Sequence, residues 1–242
     1  MATINPVQLL YKKHNLTAVA ENYLLAIYNL KEQKRKATLT ELADELRNMP
    51  VSEGLGTSLP SVAAMIRRMS KDKLLEMTLS KEVQLSSDGE KLAEGMVRRH
   101  RLAERMVTDL LGLELHKSHI EAHRLEHAIS PEVEDKIEKA LGNPTTCPFG
   151  HRIPGTAYKP PSTNEITLDQ ANVGETYIVS GIPEEDQKLL EYLVESNFLP
   201  GTPFIVEEAA QFKGIISLNV EGTSVIFGYK VASRVWVYKN EN

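Results

Sequence analysis

Cysteine is nearly absent from this chain. Cys147 is the only one among 242 residues, which excludes an intrachain disulfide and argues against a thiolate-rich structural zinc site. Long apolar runs are missing too, and none approaches the ~18–20 residues that a bilayer span needs. The opening MATINPVQLLYKKHNL has no basic n-region, apolar core or cleavage site of a secretory signal. Familiar catalytic signatures are lacking: there is no Walker A loop, no G-x-G-x-x-G and no G-x-S-x-G. These absences predict a soluble cytoplasmic protein that is not an enzyme, with no membrane partner and no small organic substrate.

What is present is an ordinary globular composition, with 41% hydrophobic and 25% charged residues. The length accommodates one to three domains and a sizeable core. The net charge of -5 lowers the expectation of a nucleic-acid partner, but charge is unevenly spread. Residues 1–89 carry 12 Lys+Arg against 10 Asp+Glu, whereas the remainder is acidic. An acidic protein can still present one basic face to DNA.

Apolar residues at 20, 24, 27, 28 and 30 behind Thr17 predict an amphipathic helix over 17–31. A second helix is expected over 38–47, with Thr40 as a possible cap. After the Pro- and Gly-containing loop NMPVSEGLGTS, a third spans 59–72, with Ser58 as cap and Pro60 in its first turn. Residues 74–85 read as two short strands with a polar tip. Three helices and a hairpin form the winged helix-turn-helix pattern. Helices are then expected over about 87–112, with Gly112 as the stop, 116–128 and 131–141. The stretch TTCPFGHRIPGTAYKPPSTN has Pro and Gly too dense for a regular element and reads as a linker. Five strand-like runs around one helix at 184–196 suggest a small β-barrel.

The histidines carry the chemistry. Five of the seven, at 100, 116, 119, 123 and 127, fall within one short stretch. His100 and Glu104 share a helical face at i,i+4. His119, His123, Glu126 and His127 fall within about 100° of arc on the next helix. Imidazoles and carboxylates converging from neighbouring helices suit a divalent first-row metal. The same spacing would also arise from surface ion pairs. The order His-x-x-Glu-His lacks the His-Glu-x-x-His arrangement of hydrolytic zinc sites. The third helix is the candidate DNA reader: Ser58, Pro60 and Ser61 stand at its start, and Arg67, Arg68, Lys71 and Lys73 supply phosphate contacts. Basic residues at a helix end also complement its dipole, and the two roles are compatible.

Four blocks of sequence carry a resemblance: ENYLLAIYNL, SLPSVAAMIRRM, RRHRLAERMVTDLLGLELHKSHIEAHRLEHAISPEVEDKI and CPFGHRIPG. In order and spacing the chain resembles the DtxR/MntR (diphtheria toxin repressor-like) family of metal-dependent transcriptional regulators. The resemblance implies a multidomain, mainly α fold plus a small β-barrel. Its parts are a winged helix-turn-helix DNA-binding domain at 1–86, a helical dimerisation and metal-binding domain at 87–150, a linker at 151–170, and an SH3-like (FeoA-like) domain at 171–242. It implies a homodimer that binds double-stranded operator DNA and holds Mn(II) or Fe(II) at two sites per subunit, probing metal supply and controlling metal homeostasis genes. The regulatory site would use Asn22, His123, Glu126 and His127. The ancillary site would use His100, Glu104 and His119 with ligands from EEDQ at 184–187, Asp186 being favoured over Glu184 and Gln187. The competing reading is a winged-helix regulator whose histidine cluster is purely structural.

Four departures from the family pattern stand out. Position 123 is Cys in iron-type and Glu in manganese-type members, and is His in this chain. Position 22 is Met or Asp in those classes and is Asn here. A site with neutral Asn22 is expected to bind Mn²⁺ more weakly than a carboxylate-rich one. Ala64 stands where the family often has a polar residue, and the loop before the reading helix is longer than expected; it either contacts DNA or, the favoured reading, is an inert surface insertion.

Overall fold

A computed structural model describes residues 6–161 and 164–240, without the side chains of residues 6–8, 12 and 52. Residues 1–5 and 241–242, and Ser162 and Thr163 of the expected linker, lie outside the described residues. The chain divides into two compact units. The first takes the residues up to Ala103 together with Ile120–Ile137; the second takes Glu104–His119 and the residues from Glu138 on.

In the first unit the helices are α1 (Pro6–His14), α2 (Ala18–Glu32), α3 (Leu39–Asn48) and α4 (Leu59–Lys71), followed by strands β1 (Leu75–Met77) and β2 (Val83–Leu85). The Thr17 hydroxyl accepts from Ala20 N and caps α2; Ser58 accepts from Ser61 N and caps α4. The cap of α3 is Thr38, which accepts from Glu41 N, and not Thr40. Thr40 lies inside the helix, whereas Thr38 just before it has the extended backbone that a cap requires. Helix α2 is buried on nearly every side, from Ala20 to Tyr28, so it is the post around which this unit is built. Leu24, Ile27, Leu42, Leu46, Val62, Ile66, Met69, Leu92 and Met96 form its core. The expected loop at 48–57 contains a 3-10 turn, Val51–Glu53, closed by Gly54 at φ +62°. Strands β1 and β2 pair antiparallel as the wing.

Helix α5 (Ser87–Arg105) runs into a π-helical turn over Met106–Leu110, and Gly112 at φ +69° ends it. Helix α6 (Leu115–Glu126) and helix α7 (Pro131–Ala140) follow. The helix expected over 87–112 is therefore one rod with a widened last turn. Thr108 Oγ1 donates to the Glu104 carbonyl at 2.7 Å, a back-bond of the kind that distorts a helix.

The second unit holds a six-stranded antiparallel sheet, β3 (Ile166–Thr167), β4 (Thr176–Gly181), β5 (Pro203–Ala210), β6 (Ile215–Val220), β7 (Thr223–Gly228) and β8 (Trp236–Lys239). Its strand order is β3-β8-β4-β5-β6-β7, with bulges between Val179 and Gly181 and between Val206 and Glu208. Such bulges bend a small sheet around its own core. Helix α8 (Gln187–Glu195) and the short α9 (Tyr229–Ala232) pack with it over Phe198, Phe204, Leu218 and Val237. The first part of the expected linker is firmly packed. Cys147 and Phe149 are buried in this core, and Thr146 bridges Arg152. Gly150 sits at φ +92°, where a Cβ would lie 2.0 Å from the Ser180 carbonyl oxygen, so no other residue fits this turn.

Candidate metal centre

The first cluster lies within the first unit. Glu126, the last residue of α6, is fully buried between two imidazoles: its Oε2 is 2.5 Å from His100 Nδ1 and its Oε1 is 3.1 Å from His123 Nδ1. The His100 and His123 ring centroids are 4.6 Å apart. One residue on, His127 Nδ1 donates to Glu21 Oε2 at 2.6 Å. The other oxygen of Glu21 accepts from Arg99 at 2.6 Å. With Nδ1 committed to a carboxylate, Nε2 is the ring atom left for an ion, which it can bind only in its deprotonated form. That atom is buried without a hydrogen bond, 3.3 Å from Glu53 Oε2 and 3.6 Å from Glu126 Oε1. Asn22, fully buried on α2, donates from Nδ2 to Glu53 Oε2 at 2.9 Å, and its Oδ1 has no partner.

Two buried ligand atoms left without partners beside carboxylates are what a cation-binding cradle shows when its own groups cannot complete it. The charges agree. Glu21 is met by Arg99, but Glu53 and Glu126 are met only by imidazoles and an amide, with no Lys or Arg paired to either among the described residues. Burial alone would raise the Glu126 carboxyl, yet the charges and hydrogen bonds of His100 and His123 hold it down at about 2. Burial lowers the His127 pKa, but the Glu21 hydrogen bond and the charges of Glu126, Glu21 and Glu53 outweigh it and raise it above the ordinary value. The donor set is imidazole, carboxylate and amide oxygen without thiolate, which fits manganese- or iron-like ions better than a structural zinc.

The second cluster lies within the second unit. Ligand atoms of Glu104, His119 and Glu184 fall within 4.8 Å of one another, and all three residues are buried. His119 Nδ1 is 2.9 Å from Glu104 Oε1. Glu184 Oε2 is 3.3 Å from His151 Nε2 and accepts from Cys147 Sγ at 4.0 Å. The CPFGH loop therefore positions Glu184, and it is fastened by Ile182 N donating to the Phe149 carbonyl at 3.0 Å. Asp186 stands elsewhere: exposed, it caps α8 by accepting from Lys188 N and Leu189 N, each at 3.1 Å. Gln187, the first residue of α8, is exposed as well. Of the acidic run at 184–187, Glu184 is the one brought to Glu104 and His119. Glu185 pairs with Arg234; burial raises its pKa and the charges of Arg234 and His119 prevail to lower it. His100 stands one helical turn before Glu104 on α5.

On α4, Val62, Ile66 and Met69 are buried, while Ser58, Pro60, Ser61, Ala64, Arg67, Arg68 and Lys71 are exposed. At least eight cations of the first unit have carboxylate partners, among them Lys13 with Asp88, Lys31 with Glu90 and Arg101 with Glu32. Arg67, Arg68 and Lys71 have none among the described residues. A solvent face of uncommitted cations on a helix between a turn and a wing has the shape of a duplex reader.

The comparisons agree with this geometry. Three family profiles match in tandem: "Iron dependent repressor, N-terminal DNA binding domain" over residues 15–83, "Iron dependent repressor, metal binding and dimerisation domain" over 86–155, and "FeoA domain" over 166–239. The diphtheria toxin repressor of Corynebacterium glutamicum is 32% identical over 212 residues, 87% of this chain and 84% of that protein. The chain belongs to the diphtheria toxin repressor family. The iron-dependent repressor IdeR of Mycobacterium leprae is 31% identical over 206 residues, covering 80% of this chain and 86% of that one. A solved manganese-dependent transcriptional repressor in complex with manganese superposes with a TM-score of 0.81 at 29% identity, over 92% of this chain and all of that one. As a member of this family the protein is a metal-dependent, DNA-binding transcriptional repressor with a winged-helix reader, a helical dimerisation domain and a FeoA (SH3-like) domain.

Within that family frame, the regulatory set expected from sequence, Asn22, His123, Glu126 and His127, lies in one unit around buried partnerless atoms. Two neighbours went unread: Glu21, which fixes the His127 tautomer, and Glu53, which reaches Asn22 and His127. Glu21 adjoins Asn22 on α2, and its helical neighbourhood was a usable signal. Glu53 stands in the loop read as an inert insertion, and no periodicity links it to α2 or α6.

Proposed function

We propose that this repressor senses Mn(II) or Fe(II) in the cytoplasm and controls metal homeostasis genes as a homodimer on operator DNA. The observation that carries the reading is the pair of buried, partnerless ligand atoms, Asn22 Oδ1 and His127 Nε2, beside the carboxylates of Glu126 and Glu53. Asn22, His123, Glu126 and His127 are the proposed regulatory ligands; Glu104, His119 and Glu184 form the proposed ancillary set, to which the family resemblance adds His100. A bound divalent ion would supply at Glu126 and Glu53 the permanent positive charge that no Lys or Arg brings among the described residues. Asn22 on α2 and His127 beyond α6 then share one ligand sphere, and α2 is the post on which α3 and α4 pack. The division into a reader at 1–86, a helical domain at 87–150, a linker at 151–170 and a β-domain at 171–242 belongs to this reading. So does the dimer, to which the exposed Leu110 and Leu111 would offer apolar contact surface. Pairing of two reading helices about one DNA turn apart follows from such a dimer.

The decisive experiment is fluorescence anisotropy on a labelled fragment of the protein's own promoter, with apo protein, Mn²⁺ and anaerobic Fe²⁺ compared at fixed salt. Metal-dependent binding is expected, and the more effective ion identifies the cognate one. Asn22→Ala is expected to abolish the metal dependence while leaving a dimer; a variant with the wild-type metal response removes Asn22 from the site. The imidazole–carboxylate pairs of His100 and His123 with Glu126 close without an ion, which favours a structural cluster as the second reading. DNA binding indifferent to chelator would select it.

A further inference from the structure

The 3-10 turn Val51–Glu53 interrupts the loop between α3 and α4, and its last residue points inward. The Glu53 side chain is about as enclosed as that of Glu21, with 10% exposure. Its Oε2 accepts from Asn22 Nδ2 at 2.9 Å and lies 3.3 Å from His127 Nε2. It therefore touches two of the four proposed regulatory ligands, one from α2 and one from the chain after α6. The His127 atom it approaches has no hydrogen bond, and neither has the other end, Oδ1, of the Asn22 amide it holds. No Lys or Arg neutralises it among the described residues.

We propose that Glu53 is itself a ligand of the regulatory ion, supplied by the loop that leads into the reading helix. The inference rests on the regulatory-site reading above and deepens it. Its first consequence is electrostatic: Glu53 restores the negative charge that neutral Asn22 withholds, so the expectation of a charge-poor site changes. A carboxylate oxygen also adds a hard ligand to two imidazoles, which suits Mn²⁺ and Fe²⁺ over softer ions. Its second consequence is mechanical. Glu53 lies five residues before Ser58, the cap of α4. With Glu53 committed to the ion, the start of the reading helix is tied to the regulatory site by a short stretch of chain, in addition to any coupling through α2. Without the ion, the Glu53 carboxylate has the Asn22 and His127 contacts, and the loop packs Met49 and Leu55 on the core.

The test uses the full chain and Mn²⁺ itself. Isothermal titration is run on wild type, Glu53→Gln and His127→Ala, with hydrogen exchange of the 51–57 amides read with and without Mn²⁺. The glutamine keeps an oxygen that can accept from Asn22 Nδ2, so a merely positioning role survives the substitution and a ligand role does not. Expected are a 10–100-fold loss of Mn²⁺ affinity at one site in Glu53→Gln, and Mn²⁺-induced protection of the loop in wild type that the variant lacks. If His127→Ala weakens Mn²⁺ binding while Glu53→Gln leaves it unchanged, or if the wild-type loop gains no protection, the Glu53 assignment is overturned and the regulatory site stands. If neither variant alters Mn²⁺ binding, the regulatory-site reading falls and this inference with it.

Discussion

At the scale of single residues, Glu21 shows how a side chain that touches no ion can govern one. Its two oxygens are divided, Oε1 to Arg99 and Oε2 to His127 Nδ1. A carboxylate can serve both donors, whereas an amide has one acceptor oxygen and must abandon one of them. In Glu21→Gln either the His127 ring loses its orientation or a nearly buried Arg99 loses its charge partner. The expected outcome is Mn²⁺ affinity reduced 10–100-fold, the usual effect of removing a partner behind a histidine ligand. Titration calorimetry against wild type checks it, and unchanged affinity would show that His127 is held by something else. The site is legible at this scale wherever residue type and helical spacing carry it. His119, His123, Glu126 and His127 announce themselves because imidazoles and carboxylates recur on one face of one helix. Glu53 and Glu184 do not, because their places come from a loop turn and a docked strand end. Asp186 outranked Glu184 in the sequence for want of any signal that one carboxylate caps a helix and the other turns inward.

At the scale of elements, strong local chemistry made most of the fold readable. Thr17 and Ser58 cap as their positions suggest, Gly112 stops α5, and the wing follows from a polar tip between two apolar runs. Helix α1 was not read; its nine residues are too few to be stable as an isolated helix. It is held instead by tertiary contacts: Tyr11 packs under the Arg99 guanidinium at 4.9 Å and donates to the Leu92 carbonyl at 3.3 Å. Burial pushes the Tyr11 phenol up to about 12, against the opposing charge of Arg99. A raised acid pKa contributes stability that is whole below the unfolded value of about 10 and is lost as pH rises toward 12. Thermal melts of Tyr11→Phe between pH 9 and 12 are therefore expected to fall less steeply than those of wild type; parallel curves would refute the buried phenol. The CPFGH loop was read as a linker because Pro and Gly are dense in it, yet that density serves close packing. Gly150→Ala forces a Cβ against the Ser180 carbonyl and a side chain into a left-handed backbone, at a cost of at least about 1–3 kcal/mol. Displacing this loop removes His151 and Cys147 from Glu184, so one of two metal equivalents should be lost while the other persists. Calorimetric stoichiometry decides it, and two retained equivalents would detach the loop from the second site.

At the scale of the whole molecule, a chain of net charge -5 must bind a polyanion through a local excess of positive charge. The cations of α4 supply it because their neighbours leave them uncommitted: Arg67, Arg68 and Lys71 are exposed and have no carboxylate partner among the described residues, while Arg35 is taken by Glu41 and Glu45. Ala64 lies on the same exposed face and offers no hydrogen bond to a base edge, so phosphate contacts weigh more in affinity than they would with a polar residue there. Each phosphate contact removed lowers the salt dependence of log K by about 1. In a dimer, Arg68→Ala removes one contact per protomer. The slope of log K against log salt should therefore fall by about 2, with weaker binding to operator and unrelated DNA alike. Mn²⁺ affinity in the absence of DNA should not change, because Arg68 touches neither cluster. Metal and DNA binding are coupled reciprocally, so the factor by which operator DNA tightens Mn²⁺ binding must equal the factor by which Mn²⁺ tightens DNA binding, in the variant as in wild type. Anisotropy titrations across a salt series measure the slope. An unchanged slope would move the phosphate contacts off α4, and a loss confined to operator DNA would make Arg68 a base reader.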